Sequence, residues 1–233
     1  MGTLAVVATP LGNLEDITLR ALRILREADL VLAEDTRRAR ALLSALEIRA
    51  PRLARADEAA LARGAAQREA LRVLQEDGLV AFLTDAGTPG VADPGWRLVA
   101  SVLKAEPEAR LEVVPGPSAL TAALAAADFP VERFVFFGYP PRKKGRAGFL
   151  TDIARETKPS VFFESSHRIA RTLAELARLA PERSALWARE ITKAHEQYLR
   201  GSLGALAEAV ERDPQLARGE HTLVLAAAPP RAR

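Results

Sequence analysis

Short apolar runs alternate with stretches of helical period along the first half of the chain. A strand is predicted over 4–8, and a loop at Thr9-Pro10-Leu11-Gly12-Asn13 follows it. Apolar residues at Ile17, Ala21, Leu22, Ile24, Leu25 and Ala28 recur at the spacing of one helix face, so 17–27 reads as a helix. The same reasoning gives a strand over 30–33, helices over 37–46 and 59–76, and strands over 79–83 and 111–114. Gly78 stands where the second of those helices would take a C-cap glycine. Beyond Pro115 the pattern predicts helices over 118–127, 167–179 and 203–211, with strands over 134–137, 161–163, 185–189 and 223–226.

Strand and helix in steady alternation predict an α/β chain. We read two α/β domains, 1–115 and 116–233, with a cofactor cleft between them. The first is expected to hold a mainly parallel buried sheet and the second a mixed one. Ligands in open parallel sheets collect at the carboxyl ends of the strands. That directs attention to the loops at 9–13, 34–37 and 84–95.

Composition narrows the field only modestly. Of the 233 residues, 48% are hydrophobic and 27% charged, which is globular composition. No apolar run approaches the roughly 20 residues of a membrane span, so no membrane partner is expected. With no cysteine there are no disulfides or thiolate metal sites. No two of the three histidines fall at ligand spacing, so no metal is expected. The first apolar run breaks at Pro10 with no basic segment before it, which reads as a strand rather than a signal peptide, and the cytoplasm is the expected compartment. The net charge is +3, yet the pI is about 9.6. From charge alone, arginine-rich composition accounts for that more readily than an anionic partner such as RNA.

The loops are more informative. Thr84-Asp85-Ala86-Gly87-Thr88-Pro89-Gly90-Val91-Ala92-Asp93-Pro94-Gly95 carries three glycines and two prolines directly after a buried strand. It is longer than the 2–6 residues a simple strand-to-helix turn needs, and its glycines let backbone approach a ligand. Asp93-Pro94 reads as N-cap and first turn of the next helix. The 9–13 loop has neither a GxGxxG fingerprint nor a Walker loop, which removes support from dinucleotide and nucleoside-triphosphate readings. Glu34-Asp35-Thr36-Arg37 fits either a helix cap or a substrate-orienting pair of acids. Glu164-Ser165-Ser166-His167-Arg168 combines a helix start with phosphate-binding side chains. Arg189-Glu190-Ile191-Thr192-Lys193 alone would be a surface ion-pair cluster.

Together, in order and over nearly the whole chain, these segments resemble one family. The 4–18 and 34–37 segments, the long loop at 84–95, Val114-Pro115-Gly116-Pro117-Ser118-Ala119, Phe137-Gly138-Tyr139-Pro140-Pro141, Glu164–Arg168 and Arg189–Lys193 carry the likeness. The family is the small-subunit rRNA cytidine 2′-O-methyltransferases of the tetrapyrrole methylase superfamily. Ala33 and Ser166 depart from its usual Cys and Pro. Members often carry a further C-terminal helical segment, whereas this sequence stops soon after 223–226. Its own loops, or a dimer partner, are then expected to grip RNA.

The resemblance implies a homodimer that takes its methyl group from S-adenosylmethionine and modifies a cytidine, position 1402, in the decoding region of 16S rRNA in the small ribosomal subunit. It places the cofactor against Pro10, Asp85, Ala86, Gly87, Thr88, Val91, Ser118 and Ala119, with Glu164 and Ile191 from the second domain. Candidate catalytic carboxylates are Asp35, Glu34 and Glu164. Arg37, His167, Arg168 and Lys193 are expected on nearby phosphates, and Arg142, Lys143, Lys144 and Arg146 on more distant backbone. Rival readings are a tetrapyrrole or other small-molecule methylase, whose usual G-x-G-P-G-D start is missing here, and a non-catalytic RNA-binding relative.

Overall fold

A computed structural model of the chain describes residues 1–49 and 52–228. The 229–233 tail lies outside the described residues. The chain divides into two compact units, Met1–Ser118 and Ala119–Arg233.

The first unit contains β1 (Thr3–Val7), α1 (Leu19–Glu27), β2 (Leu30–Ala33), α2 (Thr36–Ala45), β3 (Arg52–Arg55), α3 (Glu58–Ala62), α4 (Ala65–Leu74), β4 (Leu79–Leu83), α5 (Trp96–Ala105) and β5 (Arg110–Val114). Its five-stranded sheet has the order β3-β2-β4-β1-β5, and every pairing in it is parallel. Successive strand residues point to opposite faces, and both faces are buried. Ala5, Val7, Val31, Ala33, Ala81 and Leu83 pack with Ala21, Ile24 and Leu25 of α1 and Leu43 of α2. Leu4, Val6, Leu30, Leu32, Val80 and Phe82 pack with Ala66, Ala70 and Leu74 of α4 and Leu98 and Val102 of α5. Burial on both sides is why these strands are continuous apolar runs rather than alternating ones.

Two features differ from the sequence expectation. The helix expected over 59–76 is broken into α3 and α4 at Gly64, which takes φ +65. It also ends earlier, at Leu74, and Asp77 rather than Gly78 adopts the left-handed conformation, with φ +58. Gly78 is needed for room instead: a Cβ there would lie 2.6 Å from Val73 Cγ1. The strand β3 was not anticipated, because Arg52-Leu53-Ala54-Arg55 is a half-exposed edge with no apolar run.

The second unit contains α6 (Ala119–Ala125), β6 (Val135–Phe136), α7 (Arg146–Arg155), β7 (Ser160–Ser165), α8 (Ile169–Leu179), β8 (Ser184–Arg189), β9 (Gln197–Ser202), α9 (Leu203–Arg212) and β10 (Glu220–Leu225). The sheet order is β6-β7-β10-β8-β9. β6 pairs parallel with β7, and the other pairings are antiparallel. Leu173 and Leu176 of α8, Leu203 and Leu206 of α9, and Leu150 and Ile153 of α7 close over Phe162, Trp187 and Leu223. Neither α7 nor β9 was legible in the apolar pattern. Among the described residues no helix is long and apolar enough to cross a membrane.

Two buried polar side chains organise this unit. Arg183 donates to the carbonyls of Ile153 and Glu156 at the end of α7, and to Ala226 O at 2.7 Å. A cation there adds a strong donor to carbonyls at the helix end. Burial pushes its pKa down to about 10, so it stays charged. His221 accepts from Trp187 Nε1 on Nδ1 at 3.0 Å, and its Nε2 lies 3.1 Å from Ala217 O. That pairing demands the neutral ring with its proton on Nε2.

Burial lowers the His221 pKa from its ordinary 6.5. A depressed folded pKa means stability that is present above pH 6.5 and lost as pH falls through the folded value. Unfolding free energy is therefore expected to decline below pH 6.5, by at most about 1.4 kcal/mol per pH unit from this one group. In H221Q, whose amide keeps one acceptor and one donor, denaturant titrations should show that part of the slope flattened.

Candidate active site

Because the first sheet is wholly parallel, the loops after β1, β2, β4 and β5 leave from one edge. Three of them are stitched together. Thr9 and Gly87 form an isolated antiparallel bridge, Thr9 N to Gly87 O at 2.9 Å and Gly87 N to Thr9 O at 3.0 Å. The Thr88 hydroxyl donates to Pro117 O at 3.1 Å, joining the β4 loop to the β5 loop. Ala8 N donates to Val114 O at 3.2 Å. Gly87 has φ +79, a backbone conformation that favours glycine, and a Cβ would also press on Leu11 Cδ2 at 3.2 Å.

The β4 loop has its own latch. Asp93 accepts from Gly90 N at 2.8 Å and Gly95 N at 2.6 Å. It is thus not the N-cap of α5 that the sequence suggested: α5 opens after Gly95 and has no side-chain cap. Burial raises the Asp93 pKa despite those amides. Asp85 is tied to Arg38 of α2 at 2.9 Å, a cross-link to the β2 loop that sequence reading missed.

The three carboxylate candidates end in different environments. Asp35 is the N-cap of α2, accepting from Arg37 N at 2.8 Å, and its carboxylate is gripped by the Arg37 side chain at 2.9 and 3.2 Å. The Arg37 hydrogen bonds hold its pKa far below the usual carboxylate range. The capping alternative is therefore the one realised, and Asp35 is a weak base. Glu34, one residue earlier at the end of β2, is half-buried. Its pKa is raised by burial first, then by the charges of Asp85 and Asp93; Arg38 partly offsets them. A carboxylate with that shift is a better proton acceptor than an ordinary one.

Residues 3–207 match the family described as Tetrapyrrole (Corrin/Porphyrin) Methylases. The chain belongs to that family. It is similar to a Thermotoga maritima protein named Ribosomal RNA small subunit methyltransferase I, 42% identical and covering 97% of this chain and 98% of that one. A Neisseria meningitidis serogroup B protein of the same name is 44% identical, covering 96% and 76%. Diphthine synthase shares the fold at a TM-score of 0.70 and 17% identity, covering 97% of this chain and 90% of that one. So does uroporphyrin-III C-methyltransferase from Thermus thermophilus, solved with S-adenosyl homocysteine, at 0.67 and 23%, covering 97% of each.

As a tetrapyrrole methylase the protein is a methyltransferase, and its second unit carries the remaining candidates. Glu164 is already engaged by neighbours within the unit. Its side chain is fully buried, Oε1 taking Ser165 N at 2.8 Å and Arg168 at 2.7 Å, and Oε2 taking the Thr172 hydroxyl at 2.6 Å with Arg146 at 3.6 Å. Arg146, expected on RNA backbone, is also buried. It opens α7 pointing inward, with Glu175 at 2.9 Å and Thr172 at 2.7 Å. Arg168 is partly committed as well, donating to Pro140 O. By contrast Arg142, Lys143, Lys144 and His167 are exposed, and Arg142 and Lys143 join Arg171 and Arg178 along a groove of about 470 Å³.

Lys193 is tied to Glu190 at 3.0 Å and Glu220 at 3.1 Å. Between it and β8, Glu190 and Thr192 take φ +51 and +65, around a buried Ile191. Left-handed backbone at a β-branched threonine is strained, and such strain persists only where its surroundings fix it. Here Glu196 accepts from Thr192 N at 2.8 Å and Glu190 accepts from Glu220 N at 2.8 Å.

In the first unit, Pro10 and Gly87 are buried, Asp85 and Thr88 half-buried, Ala86 exposed, and Val91 37% exposed. Ser118 and Ala119, at the junction of the two units, are half-buried.

Proposed function

We propose that this S-adenosylmethionine-dependent methyltransferase methylates the ribose 2′-hydroxyl of a cytidine in the decoding region of 16S rRNA. The observation that carries the reading is similarity over nearly the full chain, at 42–44% identity, to relatives named as small-subunit rRNA methyltransferases. The cytoplasm and a homodimeric state belong to the same reading.

The loops of the first unit fit the cofactor. Residues 85–91 are small or apolar apart from Asp85. Gly90 has open space around its Cα and φ +86. Such backbone offers amides and flat apolar surface to an adenosyl group. Gly87 contributes by lacking a side chain, since its N–H is committed to Thr9. Pro10, Ala86, Thr88 and Val91 complete this wall, with Ser118 as a further contact.

When bound, the cofactor supplies a methyl group on a positively charged sulfur. The acceptor hydroxyl is a poor nucleophile until its proton is taken or strongly hydrogen-bonded. In this reading Glu34 does that, since its raised pKa makes the carboxylate a stronger base. Asp35 anchors α2 and orients Arg37, whose side chain is 87% exposed and meets a backbone phosphate. Arg142, Lys143, Lys144 and His167, exposed on the second unit, hold further phosphates.

Incubation with methyl-labelled S-adenosylmethionine and small subunits from a strain lacking the modification is expected to give 2′-O-methylcytidine in 16S rRNA. Affinity should fall steeply with salt, with a log–log slope of about −0.7 per phosphate neutralised on single strands. Absence of label from protein that still binds cofactor would transfer the substrate to a small molecule.

A further inference from the structure

The long loop after β4 ends on an exposed tryptophan. Trp96, first residue of α5, leaves 61% of its surface to solvent, although an aromatic ring of that size gains more than most side chains from burial. Its neighbour Arg97 places its guanidinium carbon 5.6 Å from the ring centroid, a cation–π contact.

The ring is presented by a rigid support. Asp93 holds Gly95 N, and Gly95 lies so close to Phe82 of β4 that a Cβ would come within 2.7 Å of its ring. Leu98 and Val102 bury the other side of α5 completely. Asp93, three residues before Trp96, lies within electrostatic reach of Glu34. Trp96 follows directly on the loop assigned to the cofactor, so the indole stands at the end of that loop.

An exposed flat ring with a cation beside it is how proteins hold unpaired nucleobases, whose faces stack and whose backbone is anionic. We propose that Trp96, with Arg97, is a stacking platform for an unpaired base of the substrate RNA next to the methylated nucleotide. This rests on the rRNA reading above and adds a recognition subsite to it.

The chain has two tryptophans, and the other, Trp187, is fully buried, so it adds a constant background and a change in indole emission on binding reports Trp96. Titration with a dye-labelled single-stranded oligocytidylate at low salt is expected to quench that emission while dye anisotropy rises. W96F should abolish the quench yet hold affinity within about threefold. W96A should weaken binding by about tenfold to a hundredfold, the range one lost base stack gives.

Anisotropy binding with unchanged emission, and W96A binding as tightly as the parent, would overturn the platform and leave the rRNA reading intact. Emission that changes with protein concentration alone would assign Trp96 to contact between copies of this chain. Failure to bind either the oligonucleotide or small subunits would remove the platform and the rRNA reading together.

Discussion

E34Q is expected to lower the single-turnover rate of methyl transfer by about two to four orders of magnitude, the usual worth of a positioned general base. Cofactor affinity, measured by calorimetry, should stay near that of the parent, because Gln keeps the shape and removes only the proton acceptor. The pH profile supplies a second reading. Glu34 titrates above its ordinary 4.5, through burial and the charges of Asp85 and Asp93. The parent rate should therefore rise with pH through that raised value and then level, and E34Q should lose this limb.

Stability should move the other way. A raised folded pKa gives stability that is complete below 4.5 and lost as pH rises through the folded value. At neutral pH the ionised Glu34 is thus unfavourable to the fold, and E34Q should melt no lower than the parent. A slow but stable variant is the signature of a residue held for chemistry. An E34Q rate within a few-fold of the parent would remove Glu34 as the base.

E164A is the second large expectation, and of a different kind. Removing this carboxylate strips acceptors from Arg146, Arg168, the Thr172 hydroxyl and Ser165 N at once. Breaking a buried ion pair from one side costs about 3–5 kcal/mol. Arg146 keeps Glu175, so the cation left without its carboxylate is Arg168, and the loss is expected toward the lower bound. For a unit of this size that lowers the melting temperature by about 10–20 °C. Assayed well below its midpoint, E164A should retain the parent's single-turnover rate. Full stability with a lost rate would return Glu164 to the chemistry.

The contrast between those carboxylates marks what the sequence could and could not reveal. Both ended an apolar run and preceded a helix, so local pattern treated them alike. What separates them is the company brought by distant segments: Asp85 and Asp93 from the β4 loop for Glu34, Arg146 from the start of α7 for Glu164. Arg146 was misleading for the same reason. It closes a basic run with Arg142, Lys143 and Lys144, and a charge run reads as a solvated face. Yet the helix begins at that residue and turns it inward. The strands of the first sheet were legible because burial on both faces makes them apolar throughout. The edge strands β3 and β9 were not, since their Arg-Leu-Ala-Arg and Gln-Tyr-Leu-Arg-Gly-Ser sequences face water over much of their length. Gly64 was hidden inside a helical period that continues on both sides of it.

The bridge between Thr9 and Gly87 bears on how readily the protein takes up its ligand. A twelve-residue loop left to itself would sample many shapes, and each would have to be given up on binding. Here the amides and carbonyls of two loops close on one another, as paired strands do, before any ligand arrives. The loss of conformational freedom therefore accompanies folding of the first unit and does not subtract from affinity. The amides of Thr9 and Gly87 should accordingly exchange with solvent on the slow timescale of the surrounding sheet, with or without ligand.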